Sequence, residues 1–246
     1  MLSARYAGFL NPAAQPISRF DVDLCEPGNA TAADDDLVVR MDQGLWHFRR
    51  GDFVATWDAE TGRGQVRQAP SPYAIDSVLR IIHSLLLAAS GGMLIHAASA
   101  VRDRKAFLFS GISGAGKTTI SRFAPPDATL LTDEISYVRQ TQQGFVACGT
   151  PFAGELATAG ENCAAPLQTV FFLEKGPENR IESLSSADAL RSLMRNILFF
   201  AHDQHLVDQV FRAACKLVQE IPVQRLIFLP DSRVWEIIRP SAGVTA

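Results

Sequence analysis

The sequence predicts an α/β protein with a β-rich extension at its N-terminus, and three observations lead to this prediction. Residues 1–75 contain short strand-like segments separated by turn signals. Residues 76–246 combine apolar strand segments with longer helical segments. In this second part, one strand and one helix flank a glycine-rich loop. We therefore predict an accessory region over 1–75 and a second domain, built around that loop, over 76–246.

Composition and charge narrow the class of protein. A chain of 246 residues can bury one sizeable core, or one core and a small accessory domain. Hydrophobic residues make up 47% and charged residues 20%, which is typical of a folded globular chain and excludes a disordered one. The net charge of -3 argues against a broad nucleic-acid-binding surface, so no nucleic-acid partner is expected.

Cysteine usage and hydropathy favour a cytoplasmic protein without a membrane partner. The four cysteines form no Cys-x-x-Cys pair and no metal-type spacing, as expected in a reducing compartment. The first twenty residues hold no apolar signal-peptide core. The most apolar stretch, 78–89, is interrupted by Arg80, His83 and Ser84. We interpret it as a buried helix, because it is too short and too polar to cross a bilayer.

The N-terminal region is predicted to consist of strands and turns. Strand-like runs occur at 37–41, 46–49 and 52–57, and Gly44, Gly51 and Gly62 mark the turns. Before them, Asp34-Asp35-Asp36 reads as a solvated loop rather than a metal site. A break at Ser71-Pro72 precedes a helix over 75–89, which Gly91 and Gly92 end.

The run from Gly111 to Thr118 is a complete G-x-x-x-x-G-K-[ST] phosphate-binding motif. A predicted strand at 105–110 enters it and a predicted helix at 118–124 leaves it. The glycines let backbone N–H groups converge on phosphate oxygens, and the helix N-terminus adds partial positive charge. Lys117 can reach the β- and γ-phosphates, and the Thr118 hydroxyl can bind Mg²⁺. The motif predicts a nucleotide triphosphate site formed by Gly111, Ile112, Ser113, Gly114, Ala115, Gly116, Lys117, Thr118 and Thr119.

Two further strands carry polar residues that can act beside this loop. His96 lies on a predicted strand at 93–101, where a hydrogen-bonded core histidine is the ordinary alternative. Asp133 and Glu134 end a predicted strand at 128–134, only 16 residues after Lys117. A carboxylate there can bind Mg²⁺ or accept the proton of an attacking hydroxyl. The alternatives are an ordinary polar strand end, or a water-activating Glu134 as in motor ATPases.

The remaining segments complete the α/β pattern. A helix is predicted from Ser185, because Ser185-x-x-Asp188 resembles a capping box. The other predicted elements are a hairpin of 135–139 with 145–148, a strand at 169–173, helices at 185–200 and 204–219, and strands at 223–229 and 234–238.

Taken together, His96, the loop with Lys117 and Thr118, and the pair Asp133-Glu134 resemble the HPr serine kinase/phosphorylase family. The fold of that family is related to phosphoenolpyruvate carboxykinase, so the resemblance implies a phosphate-loop core with a mixed sheet. It covers roughly residues 92–139. Without the family's later signatures, the chain looks like a short relative of the type associated with modified-peptide biosynthesis.

The resemblance implies an ATP- and Mg²⁺-dependent kinase that phosphorylates a hydroxyl, with serine of a peptide or small protein as the expected acceptor. Asp133 would be the base, Lys117 would bind and neutralise phosphate, and His96 would lie near the γ-phosphate. Thr118, Glu134 and Glu155 would bind the metal. Relatives form rings, which makes a homo-oligomer one expected assembly. The alternative is a phosphate-loop ATPase or a nucleotide-binding regulatory module without phosphotransfer.

Overall fold

A computed structural model describes residues 2–25 and 37–238, and the predicted loop at Asp34-Asp35-Asp36 lies outside them. The described residues form two sheets and six α-helices. The strands are β1 (Arg19–Leu24), β2 (Val38–Asp42), β3 (Leu45–Arg50), β4 (Phe53–Asp58), β5 (Arg63–Gln68), β6 (Met93–Arg102), β7 (Lys105–Ser110), β8 (Thr129–Thr132), β9 (Ile135–Thr141), β10 (Gly144–Cys148), β11 (Ala164–Lys175), β12 (Arg180–Ser183), β13 (Ile197–Leu198) and β14 (Val223–Phe228). The helices are α1 (Leu2–Arg5), α2 (Pro72–Ala89), α3 (Lys117–Arg122), α4 (Ser186–Met194), α5 (Gln204–Glu220) and α6 (Val234–Ile237).

The N-terminal strands form a five-stranded sheet in the order β1-β5-β4-β3-β2. The pair β1–β5 is parallel and the other pairs are antiparallel. Alternate residues of β3 and β4, including Trp46, Phe48 and Trp57, are buried on the face that packs against α2. The prediction of a β-rich N-terminal extension is therefore confirmed.

The second sheet is mixed, as predicted, and runs in the order β10-β9-β6-β7-β11-β14-β12. Strands β7, β11 and β14 are parallel, whereas β6 is antiparallel to β7 and β12 is antiparallel to β14. Strand β6 pairs with β9 over Met93–His96 and with β7 over Ala97–Arg102. Strand β10 also pairs with the start of β11, which links the edge of this sheet back to its centre. Helices flank this sheet, so the α/β fold class is confirmed.

Helix α2 connects the two sheets. Its N-cap Ser71 accepts a hydrogen bond from the Tyr73 N–H, and Pro72 occupies its first turn. One side of the helix packs on the N-terminal sheet, while Leu87 packs with residues of the second sheet. Among the described residues α2 is the one helix that could cross a membrane by length and composition, and 56% of that stretch is buried inside the protein. The predicted boundary between 75 and 76 falls inside α2, and the domain division stays a prediction.

Two features of the second sheet determine where the site lies. Strand β7 ends at Ser110, between β6 on one side and β11 on the other, so the loop that follows emerges at the carboxyl edge of the parallel strands. Strand β8 ends at Thr132 rather than at Glu134, so the prediction that the acid pair ends the strand is wrong. The Thr132 hydroxyl accepts from the backbone N–H groups of Glu134 and Ile135, which turns the chain at this point.

Other corrections concern the C-terminal half. The predicted strand at 234–238 is the helix α6, whose first N–H bonds the Asp231 carbonyl while Trp235 is buried. The predicted helix over 185–200 ends at Met194, because Ile197 and Leu198 pair with β6 instead. The predicted cap is confirmed, since the Ser185 hydroxyl accepts from the Asp188 N–H.

Candidate active site

The glycine-rich loop has the backbone that its motif requires. Gly114 and Gly116 have positive φ angles of 78° and 113°, which side-chain-bearing residues rarely adopt. Gly116 is also constrained by packing, because a Cβ there would lie 2.5 Å from Cζ of Phe228 on β14. Helix α3 begins immediately after it at Lys117, so the loop is fixed between a buried strand and a helix start.

Lys117 lies across the loop. Its Nζ donates to the carbonyl oxygens of Gly111 and Ile112, at 3.0 and 3.4 Å. Burial lowers the pKa of the Lys117 ammonium from its usual value, and the negative charges of Glu134 and Glu155 oppose that shift. A phosphate in front of the loop would replace two neutral carbonyls with a negatively charged acceptor.

The predicted site residues come together around one cavity of about 280 Å³. Of the predicted nucleotide loop, Gly111, Ile112 and Ala115 do not line this cavity; Ala115 is buried and Ile112 is 81% exposed. The cavity is lined by His96, Ser113, Gly114, Gly116, Lys117, Thr118, Thr119, Asp133, Glu134, Gly154, Glu155 and Lys175.

Asp133 is held by the loop that follows β10. One carboxylate oxygen accepts from the Gly154 N–H and the other from the Leu156 N–H, both at 2.8 Å. The residue is only 5% exposed. A Cβ on Gly154 would lie 2.8 Å from Oδ2 of Asp133, so the loop approaches this closely because the residue is glycine. Each oxygen still has a free lone pair that can accept a hydrogen bond from a substrate.

Glu134 forms an ion pair with a residue that the sequence did not point to. Its Oε2 lies 2.9 Å from Nη2 of Arg80 on α2. The Arg80 guanidinium also lies over the Phe152 ring, 5.1 Å from its centroid. Arg80 had one signal in the sequence, because it interrupts the most apolar stretch of the chain.

His96 is half-buried on β6 and faces the same cavity. Burial lowers its pKa, and the positive charges of Lys117 and Arg80 lower it further. The neutral imidazole is therefore favoured at neutral pH, and it can donate or accept a hydrogen bond. Pairing with Ile135 of β9 and a 2.9 Å hydrogen bond from the Ser110 hydroxyl to the His96 carbonyl fix the position of the residue.

Thr118, Glu134 and Glu155 bring oxygen atoms that can act as metal ligands to the cavity. Within 2–25 and 37–238, no three His, Cys, Asp or Glu side chains converge as a metal-binding group. Mg²⁺ does not need such a cage, because it usually takes one or two protein oxygens together with phosphate oxygens and water. The hydroxyl and the two carboxylates fit that mode of binding.

A protein-family model described as "SynChlorMet cassette protein ScmC" matches residues 72–240. The chain belongs to the ScmC family. The match begins at the first residue of α2 and includes every residue that lines the cavity. The five-stranded N-terminal sheet lies outside the ScmC match.

Comparisons with individual proteins are weaker. Among solved structures, this ScmC protein is similar to the Hpr(Ser) kinase/phosphatase from Coxiella burnetii, with 16% identity and a TM-score of 0.27. The similarity covers 52% of this chain and 93% of that one, and at this TM-score it supports no conclusion about activity. None of the curated proteins compared with the sequence matches it.

Proposed function

We propose that this ScmC protein is an ATP- and Mg²⁺-dependent kinase that phosphorylates a hydroxyl, with a serine of a peptide or small protein as acceptor. The observation that carries the proposal is the shared cavity. Five of the eight residues of the phosphate-binding motif, including Lys117 and Thr118, line the same 280 Å³ space as one histidine and three carboxylates. Phosphoryl transfer needs positioning and charge stabilisation more than covalent chemistry, and this set of groups supplies both.

In this proposal the loop binds the polyphosphate of ATP. The backbone N–H groups of 113–118 and the Lys117 ammonium donate to phosphate oxygens. Thr118, Glu134 and Glu155 would hold Mg²⁺, which neutralises charge on the β- and γ-phosphates when bound. Since Glu134 is paired with Arg80, binding the ion would require Glu134 to exchange or share that partner.

Asp133 is proposed to accept a hydrogen bond from the acceptor hydroxyl and to take its proton. A bond then forms between the hydroxyl oxygen and the γ-phosphorus, the bond to the β–γ bridging oxygen breaks, and ADP leaves. The Gly154 and Leu156 N–H groups fix the Asp133 carboxylate for this step. The neutral imidazole of His96 is proposed to hydrogen-bond the transferring phosphoryl group.

The partners follow from the same proposal. They are a nucleoside triphosphate and a hydroxyl-bearing peptide or small protein, in a cytoplasmic setting linked to modified-peptide biosynthesis, without nucleic acid or membrane. A homo-oligomer is the proposed assembly. Membership of a family named for a gene cassette supports looking for the acceptor among cassette products.

The decisive test is mass spectrometry of peptides encoded in the same cassette, after incubation with the protein and Mg-ATP. The expected result is a phosphate added to one hydroxyl residue, which disappears with Lys117→Ala. Labelling that is the same with the parent and Lys117→Ala would refute the proposal.

A second candidate is an ATPase or nucleotide-binding regulator in which water is the acceptor and Glu134 activates it. The position of Glu134 on the cavity beside Asp133 favours considering it. ATP consumption with and without acceptor peptides separates the two. A kinase consumes ATP slowly alone and labels a partner, whereas an ATPase releases free phosphate in both cases.

A further inference from the structure

Lys175 lines the cavity although no sequence motif includes it. It is the last residue of β11, the strand that runs parallel to β7. In the register of these strands Phe172 pairs with Ser110, the residue that precedes the phosphate-binding loop. Lys175 therefore lies three residues beyond the end of β7, at the same edge of the sheet from which the loop emerges.

Within the described part of the chain, Lys175 forms no ion pair or hydrogen bond through its ammonium group. The neighbouring acid is already engaged, because Glu174 pairs with Arg225 at 3.3 Å. By contrast, Lys117 donates to loop carbonyls and Lys216 pairs with Glu220. The Lys175 ammonium is thus an available cation at the edge of a cavity that has a phosphate-binding loop.

The charged side chains around the cavity are divided by β7, with the acid pair on one side of this strand and Lys175 on the other. His96 on β6 and the acid pair after β8 lie on one side of this strand, and Lys175 on β11 lies on the other. If Asp133 meets the acceptor next to the terminal phosphate, the rest of the polyphosphate has to extend away from the carboxylates. Repulsion between the phosphates and Glu134 favours the same direction. That direction leads toward β11 and Lys175.

We propose that Lys175 forms a second phosphate subsite, which binds the α- or β-phosphate of a nucleoside di- or triphosphate on the nucleoside side of the loop. The subsite rests on the proposed nucleotide-dependent function. It assigns Lys117 to the transferring end of the polyphosphate and Lys175 to the end that stays with the nucleoside. Because ADP keeps the α- and β-phosphates, Lys175 contributes to ADP and ATP binding alike.

The test compares the affinities of Lys175→Gln and the parent for ADP and for ATP with Mg²⁺, by isothermal titration calorimetry. Lys105→Gln is the matched control, since Lys105 begins β7 at the opposite end of these strands from the loop. Loss of one charge-assisted phosphate contact should weaken both nucleotides roughly tenfold. Lys175→Arg should retain most of the affinity, and Lys105→Gln should match the parent.

The outcomes separate the subsite from the function on which it rests. If the parent binds nucleotide and Lys175→Gln binds it equally well, the subsite is refuted while the kinase proposal stands. A variant that keeps both nucleotide affinities but has a higher KM for the acceptor peptide also refutes it, since Lys175 would then contact the acceptor. If the parent binds neither ADP nor ATP, the proposed function and the subsite fall together. Because Lys175 is exposed, its variants should melt with the parent, and a calorimetric loss is then a binding effect.

Discussion

Replacing Asp133 by Asn tests whether the proposed base also holds the cavity together. Both carboxylate oxygens accept backbone N–H groups, from Gly154 and from Leu156. An amide has one oxygen and one NH₂ group, so one of these N–H donors would face another donor. The variant therefore loses one hydrogen bond to a charged acceptor, leaves a donor without a partner, and weakens the anchor of the loop over the cavity.

The expected destabilisation can be worked out from these contacts. Leaving one buried donor without an acceptor costs about 1–3 kcal/mol. Gly154 and Leu156 are half-buried, so water can recover part of that loss and the lower half of the range is expected. For a chain of this size each kcal/mol lowers Tm by about 2–4 °C, so Asp133→Asn should melt roughly 2–8 °C below the parent.

The assay is thermal unfolding followed by circular dichroism without nucleotide. Glu155→Gln is the control, because this carboxylate lines the same cavity but is exposed, and a surface change of this kind stays within about 0.5 kcal/mol. A Tm change for Asp133→Asn no larger than that for Glu155→Gln would refute the anchoring argument. A clear drop would mean that any loss of the proposed kinase activity in Asp133→Asn has a structural component, which must be subtracted before proton transfer is assigned to Asp133.

Three further predictions follow from the site and the core. In differential scanning fluorimetry, Mg-ATP at about 100 times its Kd should raise the Tm of the parent by roughly 5–10 °C, and Lys117→Ala should abolish that rise. An equal rise in both proteins would show that Lys117 does not contribute to nucleotide binding. Gly116→Ala should destabilise the fold by about 2–4 kcal/mol in urea unfolding, because the new Cβ adds positive-φ strain to a clash with Phe228. Gly8→Ala is the control and should not destabilise the fold, because a Cβ at Gly8 would lie in open space. Equal unfolding midpoints for the two variants would contradict the packing described for the loop. Burial lowers the pKa of His83, so the contribution of this residue to stability is complete above the unfolded pKa near 6.5 and is lost as the pH falls through the lowered folded pKa. The Tm of His83→Leu should therefore fall less between pH 7.5 and pH 5 than the Tm of the parent. Parallel curves of Tm against pH would contradict this prediction.

The sequence predicted the elements whose signals are local. Helix α2 and strands β6 and β7 are long apolar runs bounded by glycine, proline or charged turns, so their type and approximate bounds were predictable. Strand β1 was also missed, and β5 was missed because Arg63–Gln68 is almost entirely polar and forms a strand through its pairing with β4 and β1. The short helix α6 was missed because β-branched and aromatic residues at 234–238 favoured a strand, while turn bonds at Asp231 determine a helix.

The residues of the candidate site also divide into those that local sequence signals predict and those that only the tertiary fold brings together. The phosphate-binding loop could be predicted because its motif fixes the spacing of the residues, and the acid pair could be predicted because it directly follows an apolar strand segment. The anchoring of Asp133 was not, since Gly154 and Leu156 approach it from 21 and 23 positions away and only the tertiary fold brings them there. Lys175 and Arg80 were missed for the same reason. Each is a single charged residue on an otherwise ordinary strand or helix, and its role depends on which sheet edge or carboxylate it meets.

The ion pair between Arg80 and Glu134 has a consequence for how far the chain can be truncated from its N-terminus. Arg80 belongs to α2, and the apolar side of that helix is covered by Trp46 and Trp57 of the N-terminal sheet. A shortened protein that starts at Ser71 would keep the whole family match and every cavity residue, yet it would expose that side of the helix to water. The helix would then lose part of its support, and the ion pair that holds the Glu134 carboxylate beside the phosphate-binding loop would weaken. The N-terminal sheet therefore supports the helix that positions Glu134, although none of the described residues before Ser71 lines the cavity.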